Sequence, residues 1–508
     1  MLFARRWLIL AIVSSALLLI VVDITVLYTA LPALTLDLDA SPEQKLWIIN
    51  AYQLVAAGLL LPMGILGDRY GHRRLFLLGL LVFGVSSLLA AFAPTAATLI
   101  AARVGLAVGA AMMMPATLAL IRQSFTDEKE RTMAIGLWAS VSGGGMAIGP
   151  VIGGVILEYF WWGAVFLINV PVVLAALVLT LRYVPQQDGD RRRTFDLPAS
   201  AEILAGLVLV IFAVKEVFGV APSYWLALLT GVPGLLLLVF FIRRQLRQTE
   251  PMIDFRLFNN PRFSNGFIIA LVAMAGMVGI ELVITQRLQL VDNFTPLQAG
   301  LHILPLPLAG LVAGLVAGVV APRLGYRRTL YIALGLGAFA ALGIALSAEL
   351  PVWFLMVMLA LLGLGDGVAM TLASTDVMYS APAEKAGMAA SLEEVSYEIG
   401  AVLGIALLGG LMTTVYMNTF SAPAGVVLPA AANGSIDAAM AMARSLPEAQ
   451  GQLLADAAGS AFDLATQVVS LVAAVLMLST LVVVWRLYRA GGKTERAVNA
   501  GHTSDSAA

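Results

Sequence analysis

The sequence predicts an all-α polytopic membrane protein, and three observations carry that reading. Hydrophobic residues make up 60% of the 508-residue chain against 12% charged, and mean hydropathy is +0.92. No soluble interior of that size hides so much apolar surface. The apolar residues also come in long unbroken runs rather than short alternating ones, which selects helices over a β-barrel. Finally, Lys and Arg concentrate in alternate loops, as they do when a chain crosses a bilayer repeatedly.

A spanning helix needs roughly 20 mostly apolar residues, and about fourteen segments qualify. They are 8–31, 46–66, 75–93, 97–119, 133–156, 163–182, 199–218, 224–242, 264–288, 298–320, 329–347, 352–374, 389–415 and 462–485. The first opens like a secretory signal, with Arg5 and Arg6 ahead of an apolar run. That run continues to Pro32 and contains Asp23, so it reads as an uncleaved first span. With the N-terminus inside, the inner loops collect most of the 30 basic residues. These include Arg69, Arg73, Arg74, Arg122, Lys129, Arg131, Arg182, Arg191, Arg192, Arg193, Arg243, Arg244, Arg323, Arg327, Arg328, Lys385 and Arg486. Lys45 and Arg444 alone fall clearly outside. Both termini are placed in the cytoplasm.

The organisation that follows is a six-helix bundle over 1–182 and a second over 264–485. Linkers and two inserted central helices occupy 183–263, and a cytoplasmic tail covers 486–508. Segment 416–461, rich in Ala and Gly, is read as an outer loop with a short surface helix. An internal echo supports two halves: GILGDRYGHRR (64–74) follows the second span and GVVAPRLGYRR (318–328) follows the tenth.

Composition excludes several chemistries. The chain has no cysteine, so disulfides and thiolate sites are ruled out. Its three histidines lack ligand spacing with a carboxylate, which argues against zinc. The near-neutral charge gives no hint of nucleic acid, and no phosphate-binding Gly-Lys loop is present to hydrolyse ATP. No cofactor is expected, and an enzyme is not the reading.

The remaining candidates are ionisable groups inside spans, where a central charge costs at least ~2.5–3.5 kcal/mol. Asp23 in span one and Arg103 in span four lie at similar depth, ~12 Å from the outer end at 1.5 Å per residue, and form a plausible pair. Asp366, among glycines in GLGDGVAM, falls near the midplane of span twelve with space for a ligand or water. Glu281 in span nine is read as a partner of Arg287. In span thirteen Glu394 and Glu398 are four apart and share a face, Glu398 being the deeper. Ser391-x-x-Glu394 reads as a capping box, which lowers the weight of Glu393 and Glu394.

Several of these stretches resemble a known family. GILGDRYGHRR resembles the loop-two signature of the major facilitator superfamily, with Gly64, Gly67, Asp68, Arg69, Gly71, Arg73 and Arg74 in place. The resemblance implies a gating role for Asp68, Arg69, Gly71 and Arg73. GGGMAIGPVIGG (143–154) resembles the helix-five signature of antiporters in that superfamily. Its Gly145, Gly149 and Gly153 share one face beside Pro150. VVDITVLYTALP (21–32) resembles the helix-one signature of the fourteen-helix drug:proton antiporter branch, although Tyr28 stands where Asn is more usual. WIINAYQL (47–54) and FLINVP (166–171) match the same branch. The likeness extends to methyl-viologen and quaternary-ammonium efflux proteins and covers nearly the whole chain. It implies a major facilitator fold of two six-helix bundles with two additional central helices, fourteen transmembrane helices in all. It also implies export of lipophilic organic cations in exchange for protons across an inner membrane, with Asp23, Arg103, Asp366, Glu394, Glu398 and Glu281 as proton or substrate sites. Export of an endogenous or antibiotic solute by the same fold is the alternative, and the charge of the cargo separates the two.

Overall fold

A computed structural model describes residues 2–125, 127–186, 189, 196–217, 222–248, 251–347, 350–382, 386–423 and 434–505. Arg191, Arg192, Arg193 and Lys385 of the inner basic set lie outside the described residues, as does part of the outer segment. Every regular element among the described residues is helical.

The first half holds α1 (Leu2–Asp37), α2 (Pro42–Tyr70), α3 (His72–Ala91), α4 (Ala96–Ser124), α5 (Glu128–Tyr159) and α6 (Ala164–Tyr183). Next come α7 (Leu197–Val217) and α8 (Tyr224–Arg247), which pack on each other while α7 also rests on α2. The second half holds α9 (Pro261–Gln286, ending in a π-turn at Arg287–Val291), α10 (Pro296–Leu324), α11 (Tyr326–Ala345) and α12 (Val352–Ser380). It continues with α13 (Ala386–Gly404, running through a π-turn into Gly410–Thr419), the short α14 (Ile436–Ser445) and the long α15 (Glu448–Asp505).

Twelve of these helices are long and apolar enough to cross a membrane. The remaining two of the fourteen expected segments fall in α5 and α7, where the apolar stretches are shorter, Gly144–Tyr159 and Pro198–Val214. Exposed Leu235, Leu236 and Phe240 on α8, and Leu315 and Val319 on α10, form an outward apolar surface suited to lipid rather than water.

The two halves repeat more closely than the loop-two echo alone suggests. Gly71 joins α2 to α3 at φ +96°, and Gly325 joins α10 to α11 at φ +88°. Both sit where an L side chain is strained, which is why each echo carries glycine there. At the opposite end Asp39 (φ +46°) follows α1 and Asn293 (φ +54°) follows α9, the two residue types that best tolerate this region without being glycine. Each is followed by a capping box with proline at the first helical position: Ser41-Pro42-Glu43-Gln44 opens α2, and Thr295-Pro296-Leu297-Gln298 opens α10. Identical local chemistry starts the second helix of each half.

The halves meet tightly at the end away from the arginines. A Cβ on Gly154 of α5 would lie 2.5 Å from the Leu297 Cα, and one on Gly300 of α10 would lie 2.5 Å from the Pro150 carbonyl oxygen. Gln289 donates to the Thr29 carbonyl at 3.1 Å across the same seam. The outer segment carries the short helix α14, which lays one face, Ile436, Asp437, Ala439, Met440 and Ala443, against the bundle and leaves Arg444 and Ser445 exposed. The final span begins earlier than position 462, because α15 already starts at Glu448.

Candidate functional site

Helix α1 is positioned by α5. A Cβ on Gly149 would fall 1.8 Å from Thr25 Oγ1, one on Gly153 3.1 Å from Val26 Cγ1, and one on Gly145 3.1 Å from Val21 Cγ1. The glycine face that the sequence identifies thus lets α5 lie directly on the stretch of α1 that carries Asp23. Packing this close fixes where the carboxylate sits.

Asp23 and Arg103 pair as the matched depths suggest. Arg103 Nη1 lies 2.5 Å from Asp23 Oδ2, and both side chains are fully buried. The other Asp23 oxygen accepts from Asn169 Nδ2 at 2.9 Å, and the same nitrogen lies 3.3 Å from Ser87 Oγ. Arg103 Nε donates to the Ile48 carbonyl at 3.2 Å, and its guanidinium carbon lies 4.5 Å from the Tyr52 ring centroid. A charge that cannot reach water is here held by one carboxylate, one carbonyl and one π-face. Arg103 Nη2 and the Tyr52 hydroxyl find no hydrogen-bond partner among the described residues.

Across the seam, α13 supplies Glu394 and Glu398, which lie within electrostatic range of each other. Glu398 is also within range of Arg103. Tyr52 lies within range of Asp23, Arg103, Glu394 and Glu398 together. Tyr28 accepts a hydrogen bond from Gln53 at 3.2 Å and lies within range of Glu281, Glu398 and Arg103. Five of the six expected ionisable groups therefore gather around two tyrosines at the meeting of the halves.

Some expectations change. Glu281 is buried but does not pair with Arg287. Arg287 instead binds Asp463 of α15 at 2.7 Å and Asp292 at 3.0 Å, since six residues put Glu281 and Arg287 about 120° apart around the helix. Ser391 is no cap, since α13 begins at Ala386 and Ser391 lies inside it. Glu393 accepts from the Tyr397 hydroxyl at 2.7 Å, a local bond along its own helix. The structure does not bring Asp366 into the group. Its Oδ1 lies 3.8 Å from where a Gly337 Cβ would sit, beside Met477, and its Oδ2 has no hydrogen-bond partner among the described residues. The glycines around it are consumed by helix packing, as Gly365 against the Ala333 carbonyl and Gly363 against the Leu306 carbonyl show.

Loop two is arranged around Gly71. Asp68 pairs with His72 at 3.0 Å, a partner the sequence reading did not name. Arg69 stacks on Tyr70 at 5.4 Å, and Arg73 donates to the Leu181 carbonyl at 3.0 Å, tying the start of α3 to the end of α6. The linker reaches this loop at Gly189, whose Cβ position lies 2.4 Å from the Arg69 carbonyl oxygen. Also missed as individual contributors were Asn169, Ser87 and Tyr52. Asn169 had a signal, an amide inside an apolar run, whereas Ser87 and Tyr52 are of types common in any membrane helix.

A family model for the Major Facilitator Superfamily matches residues 13–405. The chain belongs to the Major Facilitator Superfamily. It is 43% identical over 464 residues to the methyl viologen resistance protein SmvA of Salmonella typhimurium, covering 90% of this chain and 93% of that one. It is 39% identical over 490 residues to the multidrug efflux pump LfrA of Mycolicibacterium smegmatis, covering 96% and 97%. Among solved structures, a bacterial homologue of the lysosomal transporter Spinster, inward-facing and unoccupied, superposes with a TM-score of 0.63 at 16% identity, covering 95% of this chain and 98% of that one. That likeness speaks to the fold. Membership in this superfamily makes the chain a multi-pass membrane transporter rather than an enzyme.

Proposed function

We propose that this transporter exports lipophilic organic cations from a bacterial cytoplasm in exchange for protons. The observation that carries the proposal is the gathering of Asp23–Arg103 from one half and Glu394, Glu398 and Glu281 from the other around Tyr28 and Tyr52. The names of SmvA and LfrA, methyl viologen resistance and multidrug efflux, support the cargo class.

The chemistry is competitive occupancy. A buried carboxylate holds a proton or an organic cation, because holding both would place two positive charges on one site. Glu398 and Glu394 offer the countercharge for the cation, and the tyrosine rings offer π-faces to a flat ligand. Arg103 adjusts the balance: while it is bound to Asp23 its charge is neutralised, and a proton on Asp23 would free it toward Glu398. Gating falls to Asp68, Arg69, Gly71 and Arg73 at loop two, and to the α5 glycine face with Pro150. In this reading all fourteen segments cross the inner membrane, both termini are cytoplasmic, and the seam described above is the closed outer side. The membrane potential contributes ~2.3 kcal/mol per charge per 100 mV.

Ethidium or methyl viologen uptake into everted vesicles tests the proposal. Uptake should require a proton gradient and disappear in Glu398→Gln. Uptake of neutral or anionic compounds alone would move the function to export of an endogenous or antibiotic solute, and uptake without any gradient would end the antiport reading.

A further inference from the structure

Lys45 and the outer segment are left unexplained by the export chemistry, and the structure brings them together. Lys45 Nζ of α2 lies 2.5 Å from Asp437 Oδ2 of α14, with side-chain exposures of 9% and 6%, so a nearly buried ion pair links the two halves at the closed end. Asp437 Oδ2 also accepts from Ser435 Oγ at 3.1 Å. Asp437 Oδ1 has no hydrogen-bond partner among the described residues, nor have the Tyr416 hydroxyl and Gln286 Oε1. All three residues, with Lys45, Leu46 and Phe462, line one small cavity between the halves.

A buried ion pair is poor adhesive, since desolvation cancels most of its attraction and apolar residues of similar volume hold as well. What the pair does supply is recognition. An ammonium rests on a carboxylate beside an aromatic wall, where Tyr416 stacks on Phe420 at 5.3 Å and meets Phe462 edge-on at 6.4 Å. The oxygens of Asp437, Tyr416 and Gln286 that lack a partner among the described residues leave unused acceptor capacity beside the cavity. Those are the group types that hold an organic cation, a carboxylate beside aromatic faces, and the small cavity would take one once α2 and α14 move apart.

We infer that this cavity is an exit subsite for the exported organic cation, in which Asp437 is the anchor and the Lys45 ammonium occupies it as an internal stand-in while the outer side is shut. The inference rests on the export reading and extends it. When α2 and α14 separate, Lys45 leaves Asp437 and the departing cation takes its place. When they close again, the tethered ammonium displaces the cation outward and denies re-entry. Because it is covalently attached, Lys45 competes at a high local concentration without being released.

Equilibrium binding of ethidium to the full-length protein in lipid nanodiscs, followed by fluorescence anisotropy, tests this with Lys45→Met, Asp437→Asn, the double variant and Lys45→Arg. Removing a competitor and removing an anchor act in opposite directions. Lys45→Met should tighten ethidium binding and Asp437→Asn should weaken it, each by about tenfold for one charge contact. The double variant should follow Asp437→Asn, and Lys45→Arg should resemble the parent. If the pair is only a structural latch, both single variants shift binding the same way, and the inference fails. Where Asp437→Asn yields no folded protein, Lys45→Met decides alone, and the absence of tightening overturns the proposal. A parent protein that binds no ethidium overturns the export reading and this inference with it, whereas a parent that binds while both variants shift alike overturns only the exit subsite.

Discussion

Replacing Asp23 by asparagine converts one of two acceptor oxygens into a donor, at a place where both oxygens are in use. Oδ2 faces Arg103 at 2.5 Å and Oδ1 faces Asn169 at 2.9 Å, so either the guanidinium or the amide must lose its acceptor. The larger effect is charge. Arg103 is fully buried and loses its paired carboxylate, keeping the Ile48 carbonyl and the Tyr52 ring beside it. Removing one partner of a buried pair costs about 3–5 kcal/mol, because the other charge is stranded. That corresponds to a factor on the order of 10² to 10⁴ in the folded-to-unfolded ratio. Arg103→Met alone should cost less, since Asn169 still donates to the carboxylate. The double variant Asp23→Asn/Arg103→Met removes the stranded charge and should recover most of the loss. Melting temperatures of the four proteins in one detergent complete a double-mutant cycle. Purely additive losses would refute the claim that the pair's energy lies in mutual neutralisation. Proton-driven efflux adds a second readout: the double variant should regain stability but not transport, which separates the role of the carboxylate in coupling from its role in folding.

Other expectations follow from the same geometry. Gly149→Ala places a methyl group 1.8 Å from Thr25 Oγ1 and should abolish efflux by pushing α1 off α5, while Gly144→Ala, whose Cβ would meet nothing within 4 Å, should be silent in the same resistance assay. Glu398→Gln should lower the efflux rate by at least about tenfold, whereas Glu393→Gln, whose carboxyl serves Tyr397, should stay within about twofold; equal losses would argue against a special place for Glu398. Burial holds the Asp292 carboxyl above its ordinary 3.8, and the Arg287 guanidinium opposes that shift. Arg287→Met should therefore raise it further. A raised acid is stabilising when protonated, so its contribution is complete below 3.8 and is lost as pH rises through the folded value. The variant's melting-temperature deficit should be larger at about pH 8 than at about pH 5, and an unchanged deficit would refute the assignment.

Much of the architecture was legible because a bilayer restricts what a sequence can mean. Apolar runs have to be helices there, and a glycine every fourth residue on α5 marks a face where another helix comes close. Glu394 and Glu398 were singled out by the same rule, since few reasons exist for acid inside a span. The failures share a cause. Glu281 lies six residues before Arg287, a spacing that puts the two about 120° apart around α9, and only the packing of α15 supplies Asp463 as its partner. Ser391 reads as a helix start until the helix is seen to begin at Ala386. Glycines around Asp366 suggest space, but in the folded bundle they are filled by neighbouring backbone at Ala333 and Leu306.

By itself the sequence determined that this protein lives in a membrane, repeats in two halves and carries buried ionisable groups, because periodicity, cost in lipid and local backbone chemistry are properties of short stretches. Tertiary structure bore out the Asp23–Arg103 pair, and it alone added Asn169 to that pair, joined Lys45 to Asp437 and left Asp366 Oδ2 without a hydrogen-bond partner among the described residues. Those pairings join residues 80, 146 and 392 positions apart, and separations of that kind are set by how helices pack rather than by any neighbouring residue.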